Sequence, residues 1–248
     1  MITAVTTPQK LAKLGLHGMV AALEKQQADP KYTDMPFEQR LALLVEQELF
    51  SKDARKIDRL LKKAKLRFGQ AALEDIDYRN QRGLNSFQIQ TLASGEWMRQ
   101  KQNLILTGAT GTGKSWIACA FGQQACRQGI GVLYMTATRL FESLTSSLAD
   151  GSLPKIRRQL INTQLLIIDD LGIGGIQGQL GPVLLDILDN QSMIGSLILT
   201  SQYPINKWYD LFGDPTVADA ILDRIIHRAH PIDLKGESMR KLKSKTTA

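Results

Sequence analysis

The sequence predicts a three-layer α/β domain with a parallel sheet, preceded by a small helical domain. Between residues 103 and 200, short apolar runs alternate with segments of helical periodicity. Near-continuous apolar strands separated by helices are typical of a parallel sheet covered on both faces. The first part of the chain carries helical patterns and no strand on which they could pack. We therefore predict a helical N-terminal domain at residues 1–67 and the α/β domain at residues 68–248.

Capping signals and helical periodicity define the N-terminal domain. Thr7 and Pro8 suit the first turn of a helix that Asp29 and Pro30 end. A second pattern begins near Phe37 and closes in a basic run. The members of that run are Arg55, Lys56, Arg59, Lys62, Lys63, Lys65 and Arg67. Such a run suits contact with a phosphate backbone and equally a solvated helix face, so both interpretations stay open.

The α/β domain is predicted from the order of its apolar runs. The strands fall at residues 103–107, 132–135, 165–168 and 197–200, and the helices at 114–127, 138–148 and 182–188. A linker from Phe68 leads into a further helix that Asn85 or Ser86 can cap. The glycine-rich stretch at 172–181 predicts a mobile loop.

Composition and charge narrow the class of protein. The chain has 248 residues, 43% of them hydrophobic, with no apolar stretch long enough for a membrane span and no secretory signal, so we expect a cytoplasmic location. The net charge of +7 suggests a polyanionic partner, although many basic proteins have none. Cys119 and Cys126 fall in one predicted helix, too few for a disulfide framework or a zinc site.

The string GATGTGKS fits the phosphate-binding pattern G-x-x-x-x-G-K-[ST] and lies between a predicted strand and a predicted helix. Its residues are Gly108, Ala109, Thr110, Gly111, Thr112, Gly113, Lys114 and Ser115. The glycines let the backbone curl around a phosphate at the positive end of the helix dipole. Lys114 would neutralise phosphate oxygens, and the Ser115 hydroxyl would coordinate Mg²⁺. The sequence therefore predicts ATP binding.

Two carboxylates end the strand LLIIDD. Asp169 would hold Mg²⁺ through water, and Asp170 would orient or deprotonate the attacking water. Acids after a strand are weak evidence alone, but they become strong evidence downstream of a phosphate-binding loop. At the end of the strand LILTSQ, Thr200, Ser201 and Gln202 could probe the terminal phosphate or could be ordinary turn residues.

Arg224 lies off the apolar stripe of the helix pattern VADAILDRIIHRA. Its side chain is therefore available to a neighbour. Two interpretations remain open at this point: a solvated surface arginine, or an arginine finger that reaches ATP on an adjacent subunit.

Taken together, GATGTGKS, LLIIDDLG, LTSQYP, ADAILDRIIHRA and LKGESMRK resemble the AAA+ ATPases of the helicase-loader and initiator clade. The linker LNSFQIQTLASGEW and the final segment are most similar to the IstB-like helper ATPases of bacterial transposition. The resemblance implies that Ser201 or Gln202 takes the sensor-1 role, Arg224 the arginine-finger role and Arg240 the sensor-2 role. Asp170 stands where this class usually has Glu, and the shorter side chain bears on the rate of hydrolysis.

The resemblance also implies a function. IstB-like proteins form ATP-dependent homo-oligomers on duplex DNA, help to select the target site and stimulate a partner transposase. ATP sites between subunits would then link nucleotide, assembly and DNA. Residues 1–67 would bind DNA or a partner. The basic residues at 55–67, with Lys155, Arg157 and Arg158, are the candidates for DNA contact.

Three alternatives are weighed against this prediction. A DnaC-type replicative helicase loader shares the ATPase core but uses its N-terminal domain to grip a helicase. A DNA-binding scaffold would use ATP as a switch with negligible hydrolysis, which phosphate release with and without DNA would distinguish. A P-loop kinase or transporter ATPase is less favoured, because no acceptor-substrate lid or transporter signature is evident between the two motifs.

Overall fold

The computed structural model describes residues 6–78, 82–172 and 180–239. The chain divides into two compact units, Met1–Arg59 and Leu60–Ala248. The division lies inside a long helix, on the N-terminal side of the predicted boundary after residue 67.

Three helices and a short 3₁₀ turn build the N-terminal unit. They are α1 (Thr7–Lys13), α2 (His17–Ala28), the turn Pro30–Tyr32, and α3 (Phe37–Ala64), which continues past the division. Thr6 and Gln9 form a capping box at the start of α1. The structure has two helices where the sequence predicted one, because Gly15 takes a φ of 76° and interrupts the helix between them.

Polar contacts hold α2 against α3. Glu48 of α3 is buried and accepts hydrogen bonds from the backbone N–H groups of Gly18 (2.7 Å) and Met19 (3.1 Å) at the start of α2. The helices approach so closely that a Cβ on Gly18 would lie 2.5 Å from the carbonyl oxygen of Gln47. Farther along, the Nε2 of Gln26 donates to the carbonyl oxygen of Arg40 at 2.9 Å.

An apolar stripe on α3 remains exposed in this unit. Phe37, Leu41, Val45 and Leu49 recur every fourth residue, which places them along one side of the helix, and all four are exposed. Among the described residues of this unit, no large hydrophobic side chain is fully buried. The larger apolar side chains of this unit are therefore at most partly buried.

The second unit is a parallel five-stranded sheet with helices on both faces. The strands are β1 (Asn103–Gly108), β2 (Val132–Thr136), β3 (Leu165–Leu171), β4 (Ser196–Ser201) and β5 (Ala229–Leu234). The helices are α4 (Ser86–Ala93), α5 (Glu96–Arg99), α6 (Lys114–Arg127), α7 (Ala137–Asp150), α8 (Leu153–Ile161), α9 (Leu180–Ser192) and α10 (Pro215–Ile226). The three-layer α/β prediction is confirmed.

The strand order is β2-β3-β4-β1-β5, with every neighbouring pair parallel. Successive side chains of β1 enter opposite layers: Leu104 and Leu106 pack with α6, and Ile105 packs with α7, α9 and α10. Because all strands point the same way, the carboxyl ends of β1, β3 and β4 meet at one edge of the sheet.

Three elements were not predicted: α5, α8 and β5. β5 is an edge strand that contains Pro231, whose carbonyl oxygen accepts from the Nε2 of Gln88 at 3.4 Å. Both cysteines are buried on α6, where burial raises the pKa of each thiol to about 11. Most of the predicted glycine-rich loop lies outside the described residues. None of the described helices has the length and apolar character that a bilayer crossing needs.

We expect the stabilising effect of Glu48 to depend on pH. Burial would raise the pKa of its carboxyl, but the N–H groups of Met19 and Gly18, with Lys52 and Arg55 nearby, hold that pKa below its usual value. A lowered native pKa contributes stability at neutral pH that is lost as the pH falls through that pKa. Glu48→Gln should therefore lower the urea midpoint of the N-terminal unit at pH 7, and the difference from wild type should shrink as the pH falls toward about 4.

Helix α3 also offers a matched control for this measurement. Glu38→Gln changes an exposed carboxylate in the first turn of the same helix. This variant should stay close to wild type throughout the titration. A constant difference between wild type and Glu48→Gln at every pH would contradict the electrostatic explanation.

Candidate nucleotide-binding site

The loop between β1 and α6 curls because three glycines take conformations that other residues rarely adopt. Gly108, Gly111 and Gly113 have φ angles of 136°, 86° and 100°. A Cβ on Gly108 would lie 2.1 Å from the carbonyl oxygen of Leu234, and one on Gly111 would lie 2.2 Å from the Oγ of Ser238. Helix α6 begins at once after the loop, so the positive end of its dipole faces the loop.

Residues from distant parts of the chain hold this loop in place. The Nη2 of Arg82, which is buried, donates to the carbonyl oxygen of Thr112 at 2.7 Å. The Oγ1 of Thr112 donates to the carbonyl oxygen of Ala109 at 2.8 Å. On the other side, the N–H of Met239 donates to the carbonyl oxygen of Gly111 at 2.9 Å. Nothing in the sequence indicates a role for Arg82, because a lone arginine in a linker matches no functional motif.

Lys114 places its ammonium group inside the loop. Its Nζ donates to the carbonyl oxygens of Gly108 (2.7 Å) and Ala109 (3.0 Å), and only 5% of the residue is exposed. Burial lowers the pKa of Lys114, and the carboxylates of Asp170 and Asp169 act in the opposite direction. A positive charge with little hydration is well suited to meet phosphate oxygens.

A cavity of about 420 Å³ opens beside the loop. It is lined by Arg67, Phe68, Thr110, Gly111, Gly113, Lys114, Ser115, Trp116, Asp170, Gln202 and Met239. Its volume is that of a small-molecule site. Another hollow, of about 600 Å³, runs along α10 and contains none of the predicted site residues. The chemistry therefore favours the smaller cavity as the functional one.

The two carboxylates of β3 lie where the strand leaves its regular register. The pairing with β4 shifts between Ile168 and Leu171, which marks a β-bulge. Within it, Asp170 takes a φ of 60°, and its N–H donates to the Oγ1 of Thr200 at 2.9 Å. The bulge gives neighbouring residues different surroundings: Asp170 lines the cavity, whereas Asp169 is fully buried.

Hydroxyl groups fix both oxygens of Asp169. The Oγ1 of Thr200 donates to Oδ1 at 2.5 Å, and the Oη of Tyr134 on β2 donates to Oδ2 at 2.6 Å. Burial, with the hydrogen bond to Asp169, raises the pKa of Tyr134, so its phenol stays protonated and can donate. Each carboxylate oxygen can still accept a further hydrogen bond. Tyr134 was missed because it looks like an ordinary apolar strand residue.

Arg67 lies at the cavity rather than on a solvated helix face. Its Nη1 is 3.9 Å from Asp170 Oδ2 and 4.0 Å from Asp169 Oδ2. Its guanidinium also lies over the ring of Phe68, at 5.5 Å from the ring centroid. The sequence grouped Arg67 with the basic run, and nothing in that run marks it as different.

The structure separates the two residues predicted for the sensor-1 role. Ser201 is fully buried; its Oγ donates to the carbonyl oxygen of Leu171 at 2.7 Å and accepts from the N–H of Tyr203 at 3.1 Å. Gln202 lines the cavity, and its Oε1 accepts from the Oγ1 of Thr110 at 2.8 Å. Gln202 is thus placed beside the phosphate-binding loop, and Ser201 is not. The sensor role itself stays a prediction.

Arg224 does not line the cavity in its own chain. Its Nε lies 2.7 Å from Asp189 Oδ1 on α9, and its Nη1 donates to the carbonyl oxygen of Ala220 at 2.8 Å. The sequence did not predict the partner Asp189, because the two residues lie on different helices. Arg240, predicted for the sensor-2 role, lies outside the described residues.

The hydrogen-bond donors and oxygen ligands at this site suit Mg²⁺ with a nucleoside triphosphate. The curled loop, Lys114 and the dipole of α6 together favour phosphate. The Ser115 hydroxyl and the carboxylates of Asp169 and Asp170 offer the oxygen ligands that Mg²⁺ prefers. Ser115 and Asp170 line one cavity with Lys114, which is what a shared metal and phosphate site requires.

Sequence comparisons show which family of proteins this chain resembles. The family described as IstB-like ATP binding protein matches residues 9–248. An insertion sequence ATP-binding protein of Sinorhizobium fredii is 42% identical over 95% of this chain and 96% of that protein. Another, from the IS1162 element of Pseudomonas fluorescens, is 45% identical over 82% of this chain and 88% of that protein.

Solved structures share the fold over much of the chain. The structure of DnaI has a TM-score of 0.56 at 20% identity and covers 73% of this chain and 92% of its own. The DnaC helicase loader has a TM-score of 0.52 at 18% identity and covers 68% of this chain and 99% of its own. The predicted resemblance to IstB-like ATPases is confirmed, and the chain has the fold of the DnaI and DnaC structures. The chain therefore belongs to the family of IstB-like ATP-binding proteins and is an ATPase with the AAA+ fold.

Proposed function

We propose that this ATPase is the helper protein of an insertion sequence: it assembles with Mg²⁺ and ATP on duplex DNA, helps to select the target site and stimulates a partner transposase. The observation that carries the proposal is the single cavity that brings together Lys114, Ser115 and Asp170 in a chain whose relatives are named insertion sequence ATP-binding proteins. That combination favours an ATP-driven step in transposition.

Within the cavity, the chain's own residues divide the work. The loop at 108–113 and Lys114 would bind the phosphates, and Ser115 with Asp169 would hold Mg²⁺. Asp170, which faces the cavity, would orient or deprotonate the attacking water, and Gln202 would contact the terminal phosphate from the end of β4. The metal, when bound, neutralises charge on the phosphates.

Oligomerisation is proposed from two features of the surface. Arg224 pairs with Asp189 near the surface, and exposed pairs of this kind contribute little stability, so its guanidinium can exchange that partner for a phosphate on an adjacent subunit. The exposed apolar stripe of Phe37, Leu41, Val45 and Leu49 supports a role of the N-terminal unit in binding another chain.

DNA binding is proposed from the basic surface. The basic run at 55–67 is exposed along its length, and so are Lys155, Arg157 and Arg158 on α8. Three of these arginines lie beside carboxylates: Arg55 pairs with Glu48, Arg157 with Asp186, and Arg67 lies near Asp169 and Asp170. The better candidates for phosphate contact are Lys56, Arg59, Lys63, Lys65, Lys155 and Arg158.

A helicase-loader function is less well supported. The likeness to DnaI and DnaC covers 68–73% of this chain at no more than 20% identity, which is a likeness of fold. The IstB-like family, by contrast, matches residues 9–248 and so includes the N-terminal unit. Electron microscopy with duplex DNA and a non-hydrolysable ATP analogue separates the proposals: ordered oligomers around DNA support the helper function, and monomers that leave the DNA bare contradict it.

Changes at two cavity residues should separate nucleotide binding from hydrolysis. Lys114→Ala should weaken ATP binding at least about tenfold, because the buried positive charge in the loop is lost. Asp170→Asn should leave ATP affinity within about threefold of wild type and lower the hydrolysis rate by about 10²- to 10⁴-fold. Binding is measured by calorimetry, and turnover by phosphate release with and without DNA.

An exposed aspartate on α7 supplies the matched control for Asp170→Asn. Asp150 accepts from the backbone N–H of Ser152 at 2.8 Å, and an Asn side chain can keep that bond. Asp150→Asn should therefore hydrolyse ATP at the wild-type rate. Wild-type turnover in Asp170→Asn would remove the assignment of Asp170 as the catalytic carboxylate.

Arg224→Ala should bind ATP normally and lose its DNA-stimulated turnover, because the finger acts on the ATP of a neighbouring subunit. The loss should be about 10³-fold or more. Asp189→Ala removes the same ion pair but keeps the arginine, so this variant should keep most of the stimulated turnover. If both variants lose turnover equally, the pair matters for structure, and Arg224 is not a finger.

A further inference from the structure

The segment that follows α3 brings a second cation to the nucleotide cavity. Arg67 lies about as close to Asp170 as to Asp169, at 3.9 Å and 4.0 Å between its Nη1 and the nearest carboxylate oxygens. The side chain is 45% exposed, and it lines the same cavity as Lys114. Two cations, on separate segments of the chain, thus lie near the same two carboxylates.

These distances describe a loose ion pair rather than a fixed structural one. Charge-assisted hydrogen bonds from a guanidinium are about 2.7–2.9 Å long, well short of the separations at Arg67. A half-exposed pair at such distances contributes little to stability. The contact with the Phe68 ring holds the guanidinium over the cavity without using its N–H groups. Those groups can therefore turn to a stronger acceptor.

A nucleotide changes the charge balance at this position. Asp169 and Asp170 together match the charges of Lys114 and Arg67. Mg²⁺, held by Asp169, would compete with Arg67 for the negative charge of both carboxylates, and a triphosphate brings more negative charge than one Mg²⁺ offsets. A guanidinium that loses its carboxylate partners beside new phosphate oxygens would pair with those, for which its planar donor fork is well suited.

We propose that Arg67 binds the terminal phosphate of ATP within its own chain and so makes the segment after α3 sensitive to whether ATP or ADP is bound. The proposal rests on the nucleotide site assigned under the proposed function. It moves Arg67 from the DNA-contacting run to the cavity. The last residue of the basic run, just past the end of α3, would then contact the terminal phosphate when ATP is bound and lose that contact with ADP.

The test is calorimetric binding of a non-hydrolysable ATP analogue and of ADP, each with Mg²⁺ and without DNA. Arg67→Ala should weaken binding of the ATP analogue about tenfold and change that of ADP less than about twofold. Arg67→Lys should recover part of the loss, because it keeps the charge but not the fork. Arg99→Ala, which removes an exposed arginine paired with Glu96 at 3.0 Å, should bind both nucleotides like wild type.

The other outcomes decide against the inference or against the site. If the wild-type protein binds neither nucleotide, the proposed function itself fails. If the wild type binds both and Arg67→Ala is unchanged, or binds the ATP analogue more tightly, Arg67 only shields the carboxylates. Equal weakening of both nucleotides would mean that Arg67 shapes the cavity without recognising the terminal phosphate. Arg67→Gln, with thermal melting of each variant, separates any of these results from a folding defect.

Discussion

One hydroxyl group sets the geometry on which the site depends. The Oγ1 of Thr200 donates to Asp169 and accepts from the N–H of Asp170, so a single side chain of β4 fixes both halves of the β-bulge in β3. This double contact helps to hold Asp170 at a positive φ, a conformation that costs a non-glycine residue free energy. The bulge therefore places the two adjacent carboxylates differently: Asp169 is buried, and Asp170 faces the cavity.

Segments that are far apart in the chain also contribute to the cavity and to the loop beside it. Arg82 and Met239 hold opposite sides of the phosphate-binding loop through its carbonyl oxygens, at Thr112 and Gly111. Arg67 comes from the segment that follows α3. A change in the loop on nucleotide binding would therefore alter contacts with three separate segments of the chain. Such coupling is expected if the proposed assembly depends on the bound nucleotide.

Sequence alone was enough for the features that are local in the chain. The phosphate-binding string and the acids of β3 are continuous motifs whose flanking strands and helices could be predicted from periodicity. Tyr134, by contrast, reaches Asp169 only because β2 and β3 pair in the sheet, and Asp189 reaches Arg224 across two helices. Such pairs form through tertiary packing, so the sequence pattern around each residue does not predict its partner. β5 was missed because the exposed residues Pro231 and Asp233 interrupt the apolar pattern of a buried strand.

That same proline limits how copies of the protein can join. A residue's N–H and C=O point to the same side of a strand, and the carbonyl oxygen of Pro231 already faces Gln88 rather than β1. At this residue the outer rim of the sheet offers no hydrogen-bond donor, and its acceptor is taken. Strand-to-strand fusion at that rim is therefore disfavoured, as is the uncontrolled aggregation that open sheet edges invite. The proposed association of copies would therefore use surfaces built from side chains, whose contacts can form and break reversibly.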